Sequence, residues 1–413
     1  MDRFKQAIKH PIAYLKALIK WIFISALGGC LGGVLGSVFH IMIDLVTEFR
    51  EENGYVIYFI PLAAVIICVM YGFFKNRGSL GTDRILDCLN EDEPIPAVMI
   101  PLIFVSSTVS HLAGASVGRE GAALQLGGGL FHIIGRVFRL NPKDMKIAVM
   151  SGMSAVFAAL FGTPLAASVF ALEIAGVGAM HYGAIVPCVL SAVVAFRISG
   201  IFGISPVRFI KASSPALTPS FFAEIIIFSV ICAAVSIVFC VTVKAVSKKA
   251  TSLMPNPYVK ALVCSGILLA LSVIFGSGDY NGAGMHIIAK ALDGVSKPEA
   301  FIVKIIFTAV SIAAGFKGGE IVPAFFVGSA FGAVVSPFLG IESSLGAAMG
   351  FIALFCGVVN CPLASLFLAI EVFGGDLAVI FAIVCSVSYM MYGRFSLYGS
   401  QEFVYSKTEY DNI

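Results

Sequence analysis

The sequence predicts an all-α integral membrane protein of two inverted-topology repeats, with several short or re-entrant helices beside the full spans. Three observations predict it. The 413 residues are 59% hydrophobic and only 12% charged, with mean hydropathy +0.97, whereas soluble domains carry about 25% charged residues. The chain also resembles itself. GMSAVFAALFGTPLAASVFALE from Gly152 and GFIALFCGVVNCPLASLFLAIE from Gly350 both place a proline 12 residues after the opening glycine and a glutamate 9 residues after the proline. Finally, two more blocks recur in the same order: GTDRILDCL (81–89) against GMHIIAKAL (284–292), and AGASVGREG (113–121) against AAGFKGGEI (313–321). A membrane chain built twice over is the pattern of a transporter whose site lies between its halves.

Along the chain, residues 1–20 hold Arg3, Lys5, Lys9, Lys16 and Lys20 ahead of the first long apolar stretch. They carry no cleavage-site pattern and are expected to form a retained basic helix at the lipid surface. The positive-inside rule places that end in the cytoplasm. Residues 21–200 form the first repeat, 201–220 a polar linker with Pro206, Pro215 and Pro219, and 221–392 the second repeat. Residues 393–413 are too few for a regulatory domain. The runs 21–43, 56–74 and 222–243 approach the roughly 20 residues that cross hydrocarbon. The runs 122–134 and 323–335 are shorter and broken by Gly or Pro, as for helices that enter the bilayer without crossing. Irregular backbone at that depth needs cover from protein or a water-filled cavity. Ten cysteines are scattered without CxxC or zinc spacing, so neither disulfide nor metal is expected, and no cofactor. No basic block with interleaved aromatics suggests nucleic acid.

Ionisable residues inside apolar segments are costly and mark function or pairing. Glu120, Glu173, Glu320 and Glu371 stand out, with Arg119 and Lys317 beside two of them. Glu173 and Glu371 end proline-led helices at matched positions, which favours a shared structural task such as a buried hydrogen bond to a neighbouring loop. GREG (118–121) and GGEIVP (318–323) each join a glycine-containing loop to a short apolar helix. A helix start presents free N–H groups and partial positive charge, so two matched starts form an anion site made of backbone. A glutamate carboxylate can itself occupy that position, and protonation would release it. No Ser–His, GxGD or zinc centre of a membrane protease is expected.

These residues resemble the CLC anion transporter family over nearly the whole chain. The resemblance gives a CLC-type fold and three anion-binding stretches: GSLGT at 78–82, GREG at 118–121 and GGEIVP at 318–323. It places Ser79 or Leu80, Gly118, Arg119, Gly121, Gly319, Ile321, Val322 and Tyr398 around the anion. It makes Glu120 the external gating glutamate and implies a homodimer with one pathway per subunit. Departures from the family choose the branch. GSLGT lacks the Ile-Pro of chloride-type members. Ile174 stands where chloride/proton exchangers carry an internal proton-transfer glutamate. Fluoride/proton antiporters lack that residue too and carry a glutamate in the third stretch, where Glu320 stands; Val322 replaces their frequent threonine. The resemblance therefore implies a multi-pass transporter of a bacterial inner membrane, exporting fluoride against protons, with Glu120 and Glu320 coupling the two. The alternative is a chloride-selective member, antiporter or channel.

Overall fold

A computed structural model describes residues 2–74, 80–209, 215–276 and 278–408, with residues 2–10 given by backbone alone. Ser79, part of the expected linker (210–214) and the last five residues lie outside the described residues.

Sixteen α-helices among the described residues fall into two sets of eight. The first set is α1 (Asp2–Glu52), α2 (Ile60–Gly72), α3 (Thr82–Glu91), α4 (Met99–Ala113), α5 (Glu120–Val137), α6 (Pro142–Phe161), α7 (Pro164–Glu173) and α8 (Ile185–Ile201). The second is α9 (Pro219–Leu253), α10 (Pro257–Phe275), α11 (Met285–Leu292), α12 (Ala300–Ala314), α13 (Ile321–Val335), α14 (Ser343–Val359), α15 (Pro362–Phe373) and α16 (Ala378–Met391). The packing repeats as the order does. α1 lies on α4, α6 and α8, as α9 lies on α12, α14 and α16. Across the halves α2 meets α10 and α7 meets α15. Among the described residues seven segments are long and apolar enough to cross a membrane, and six shorter apolar helices lie among them. The N-terminal basic stretch is continuous with the first span in α1, with Pro11 inside the helix.

Local chemistry sets the boundaries. Proline opens α6, α7, α9, α10 and α15, where its missing N–H is not needed. Left-handed glycines close α4, α6, α10 and α12. Inside the halves, glycine lets helices touch backbone to backbone. A Cβ on Gly127 of α5 would run into the carbonyl of Gly152 on α6, and one on Gly328 of α13 into that of Gly350 on α14. Small residues at such crossings replace the hydrophobic drive that lipid cannot supply.

Of the proline-led helices, α7 and α15 are capped by each other's halves. Glu173, at the end of α7, accepts the backbone N–H groups of Leu363 (3.2 Å) and Ala364 (2.9 Å) at the start of α15. Glu371, in the last turn of α15, accepts those of Leu165 (3.0 Å) and Ala166 (2.8 Å) at the start of α7. Each carboxylate thus supplies acceptors for a helix start that lacks them. Glu371→Gln keeps one acceptor oxygen and sets an N–H₂ against backbone donors. Denaturation in detergent is expected to show about 1–3 kcal/mol of lost stability, the cost of spoiling charge-assisted bonds at a half-buried site; an unchanged midpoint would contradict the cap.

Candidate functional site

The loops that precede α5 and α13 are joined at their tips. Gly118 N–H donates to Gly319 C=O (2.6 Å) and Gly319 N–H to Gly118 C=O (2.7 Å), an antiparallel bridge across the repeat axis. A Cβ on Gly121 would lie 2.6 Å from the Gly318 carbonyl oxygen. The starts of α5 and α13 therefore converge, as the repeated motifs predict, and glycine is needed for the approach.

Glu120 is the first residue of α5 and fully buried. Its carboxylate folds back over the bridge. A Cβ on Gly319 would lie 2.6 Å from Glu120 Oε2, and one on Gly118 would overlap the same oxygen. The carboxylate faces the backbone N–H groups of its own residue, Val322 and Arg119. Among the described residues neither oxygen has a partner in hydrogen-bonding geometry. A buried charged group without partners is costly. Glu320 is the N-cap residue of α13, half-buried, and makes no side-chain cap bond. It lies within electrostatic reach of Glu120, Asp83 and Lys317.

Tyr398 is buried, 6% exposed, on the irregular segment after α16. Electrostatically it couples to Glu320, Glu120, Cys361 and Asp83, which brings it to the same region as the tips. Ile321 and Val322 are buried in the first turn of α13. Leu80 is buried just before α3, whereas Ser79 lies outside the described residues. Arg119 contributes backbone alone to the tips. Its guanidinium turns to Asp44 (Nη1 to Oδ1, 3.3 Å) and over the Phe161 ring (5.7 Å). Lys317 likewise sits over the Tyr71 ring at 4.3 Å. A cavity of about 840 Å³ reaches the tips from one side, its wall including Asp44, Arg50, His111, Arg119 and Val322.

Several residues escaped the sequence reading. Thr82 opens α3 beside Gly121, 3.2 Å from where its Cβ would be, and its hydroxyl accepts Gln125 Nε2 at 3.2 Å. Gln125 is 3% exposed and leaves Oε1 unpartnered; it is the one amide in the apolar run AALQLGGG, which was its signal. Lys304 is fully buried in α12 and holds the loop before α11 through the carbonyls of Tyr280 (3.1 Å) and Gly282 (2.7 Å).

Two short hydrolase patterns do occur in the chain, G-x-S-x-G at 114–118 and G-x-G-D at 276–279. The structure gives neither a catalytic setting. Ser116 is fully buried, its Oγ 3.0 Å from Thr308 Oγ1, and its amide donates to Ser311 Oγ. Asp279 lies in a loop outside the spans, bound by Lys297 (3.0 Å) and His286 (3.3 Å). Burial opposes its charge, but those two hydrogen bonds prevail and hold its carboxyl below the ordinary value.

Comparison with known proteins places this geometry. A family model described as voltage gated chloride channel matches residues 62–393. A chloride/fluoride channel protein of Pseudomonas syringae pv. tomato is 32% identical over 98% of this chain and 91% of its own length. The crystal structure of a CLC-type fluoride/proton antiporter superposes with a TM-score of 0.90 at 30% identity, covering 94% of this chain and 98% of that one. A slow cyanobacterial Cl⁻/H⁺ antiporter shares the fold at a TM-score of 0.77 and 19% identity, over 90% and 94% of the two chains.

Proposed function

The chain belongs to the voltage gated chloride channel family, and we propose that it works there as a secondary active transporter that exports fluoride while protons enter. The observation that carries this reading is the Glu120 carboxylate, buried and without a partner among the described residues, in a cradle of glycines where two helix starts meet. Backbone N–H groups there favour an anion. The carboxylate is that anion when ionised; protonated, it gives the place up.

Glu320 supplies a second carboxyl at the same spot. Fluoride accepts hydrogen bonds strongly, and a protonated carboxyl offers an O–H donor. Two carboxyls beside one anion site therefore suit fluoride and tie its passage to protons. Tyr398, buried and within electrostatic reach of both carboxyls, would add its phenol as a further donor. The name of the fluoride/proton antiporter lends this selectivity support, whereas that of the Pseudomonas relative covers both chloride and fluoride. The protein would work as a homodimer with one pathway per subunit, in a bacterial inner membrane, its N-terminus in the cytoplasm. The two repeats would act as halves of one machine around residues 201–220.

Vesicle flux tests the reading. Fluoride efflux from proteoliposomes should accelerate under an inward proton gradient and exceed chloride efflux by about tenfold or more, a preference of the size that one well-placed hydrogen bond sets. Chloride moving as fast as fluoride, or fluoride indifferent to the gradient, would overturn it in favour of a chloride-selective member or a channel.

A further inference from the structure

Tyr398 has no helix beneath it. α16 ends at Met391, and the chain then runs without regular structure to a two-residue strand, β2 (Glu402–Phe403), paired in parallel with β1 (Gly176–Val177). A free segment would pass through many conformations, and ordering it costs backbone entropy. Something must therefore fix the phenol at the anion site.

The structure assigns that task to Asp83 of α3, as a positioning residue that holds Tyr398 at the anion site; this rests on the reading proposed above. Asp83 stands in the first turn of α3, where an acid would ordinarily cap its own helix, yet α3 has no side-chain cap bond. Asp83 Oδ1 instead accepts the backbone N–H groups of Gly399 (2.9 Å) and Ser400 (3.2 Å), the two residues that follow Tyr398. The opposite end of α3 closes the clamp: Asn90 Nδ2 donates to the carbonyls of Ser400 (3.0 Å) and Ala175 (3.3 Å). The same helix opens with Thr82, whose hydroxyl meets Gln125 beside the tip of α5. α3 therefore touches the glycine seam at its start and grips the tyrosine's segment along its length. A shift of one is carried to the other through a rigid element.

Gln401 fixes the other flank of the same segment. It donates to Ile174 C=O (3.0 Å) and Val359 C=O (2.9 Å), and its oxygen accepts Ser396 Oγ (2.7 Å). Those bonds, with the Tyr398 N–H donated to Ser396 Oγ (3.1 Å), anchor the segment to the core at large, whereas Asp83 and Asn90 link it to the helix beside the anion site, Asp83 through the two residues that follow the tyrosine.

A double-mutant cycle separates positioning from general stability. Fluoride affinity would be measured by calorimetry on the detergent-purified protein for wild type, Asp83→Ala, Tyr398→Ala and the double variant, with monodispersity checked by size exclusion. Asp83→Ala should weaken fluoride binding by about tenfold, the scale of a lost charge-assisted hydrogen bond. Tyr398→Ala should do the same, and the double variant should bind no worse than Tyr398→Ala alone. Asp83→Asn, which keeps Oδ1 as an acceptor, should recover to within about threefold of wild type. If Asp83→Ala does not fold, Asn90→Ala removes the other end of the clamp and runs the same cycle. Additive losses would overturn the inference alone. Wild-type affinity in Tyr398→Ala would remove the proposed site and the inference with it. A wild type that prefers chloride would sink the fluoride reading, and the cycle run with sodium chloride would still decide the clamp.

Discussion

Glu120→Gln is expected to stop fluoride-driven proton movement. Glutamine has nearly the shape of glutamate but cannot ionise, so it cannot compete for the anion position as a charge or carry a proton through it. Proton flux in reconstituted vesicles should fall by about 100-fold or more, the scale on which one positioned proton carrier acts. Any fluoride flux that persists should ignore the proton gradient. The expectation follows from the burial of Glu120 and from both its oxygens lacking partners among the described residues over the glycine bridge. Coupled proton movement surviving at the wild-type rate would show that the proton travels elsewhere.

Gly121→Ala is expected to damage both stability and transport. The added Cβ would lie 2.6 Å from the Gly318 carbonyl oxygen, 3.2 Å from Thr82 Oγ1 and 3.3 Å from Gly319 Cα. Two of those neighbours are backbone, pinned by the Gly118–Gly319 bridge, so they cannot swing aside as a flexible side chain would. Forcing a methyl into such a seam costs about 1–3 kcal/mol. The tips must separate to admit it, which widens the spacing of the N–H groups that would face the anion. Transport should fall by about tenfold or more, since a misplacement of about 1 Å at a preorganised site is costly. Gly266→Ala in α10 is the control. Its Cβ would meet nothing within 4 Å, so both stability and flux should stay near wild type. Equal behaviour of the two variants would argue against a tight seam.

Much of the architecture was legible in the chain because the repeat is a covalent fact. Matched glycines, prolines and glutamates predict matched helices, and eight elements in each half follow. The convergence of GREG and GGEIVP was legible for the same reason. Other features depend on where the halves meet. Glu173 and Glu371 invited a structural reading, but that each caps a helix of the opposite half depends on tertiary placement alone. In the first stretch the sequence pointed to Ser79, which lies outside the described residues, and Leu80; among the described residues the hydroxyl beside Gly121 belongs to Thr82. A helix start turns its first side chains through about 100° per residue, so a one- or two-residue slip in a loop changes which one points inward. Arg119 drew attention by its charge, and its side chain is committed to Asp44. Asp83, Asn90 and Gln401 were missed because a polar residue on a short amphipathic helix or near a terminus ordinarily faces water; their partners lie hundreds of residues away.

On the proposed reading, an ionised Glu120 and an anion compete for one position at the paired starts of α5 and α13. Proton uptake on fluoride binding tests it most directly. Fluoride would be titrated into weakly buffered, detergent-solubilised protein and the pH change recorded, because ligand and proton binding are linked thermodynamically. The account predicts proton uptake approaching one per fluoride bound in the wild type, and none in Glu120→Gln. Fluoride binding without proton uptake in the wild type, or equal uptake in both proteins, would contradict it.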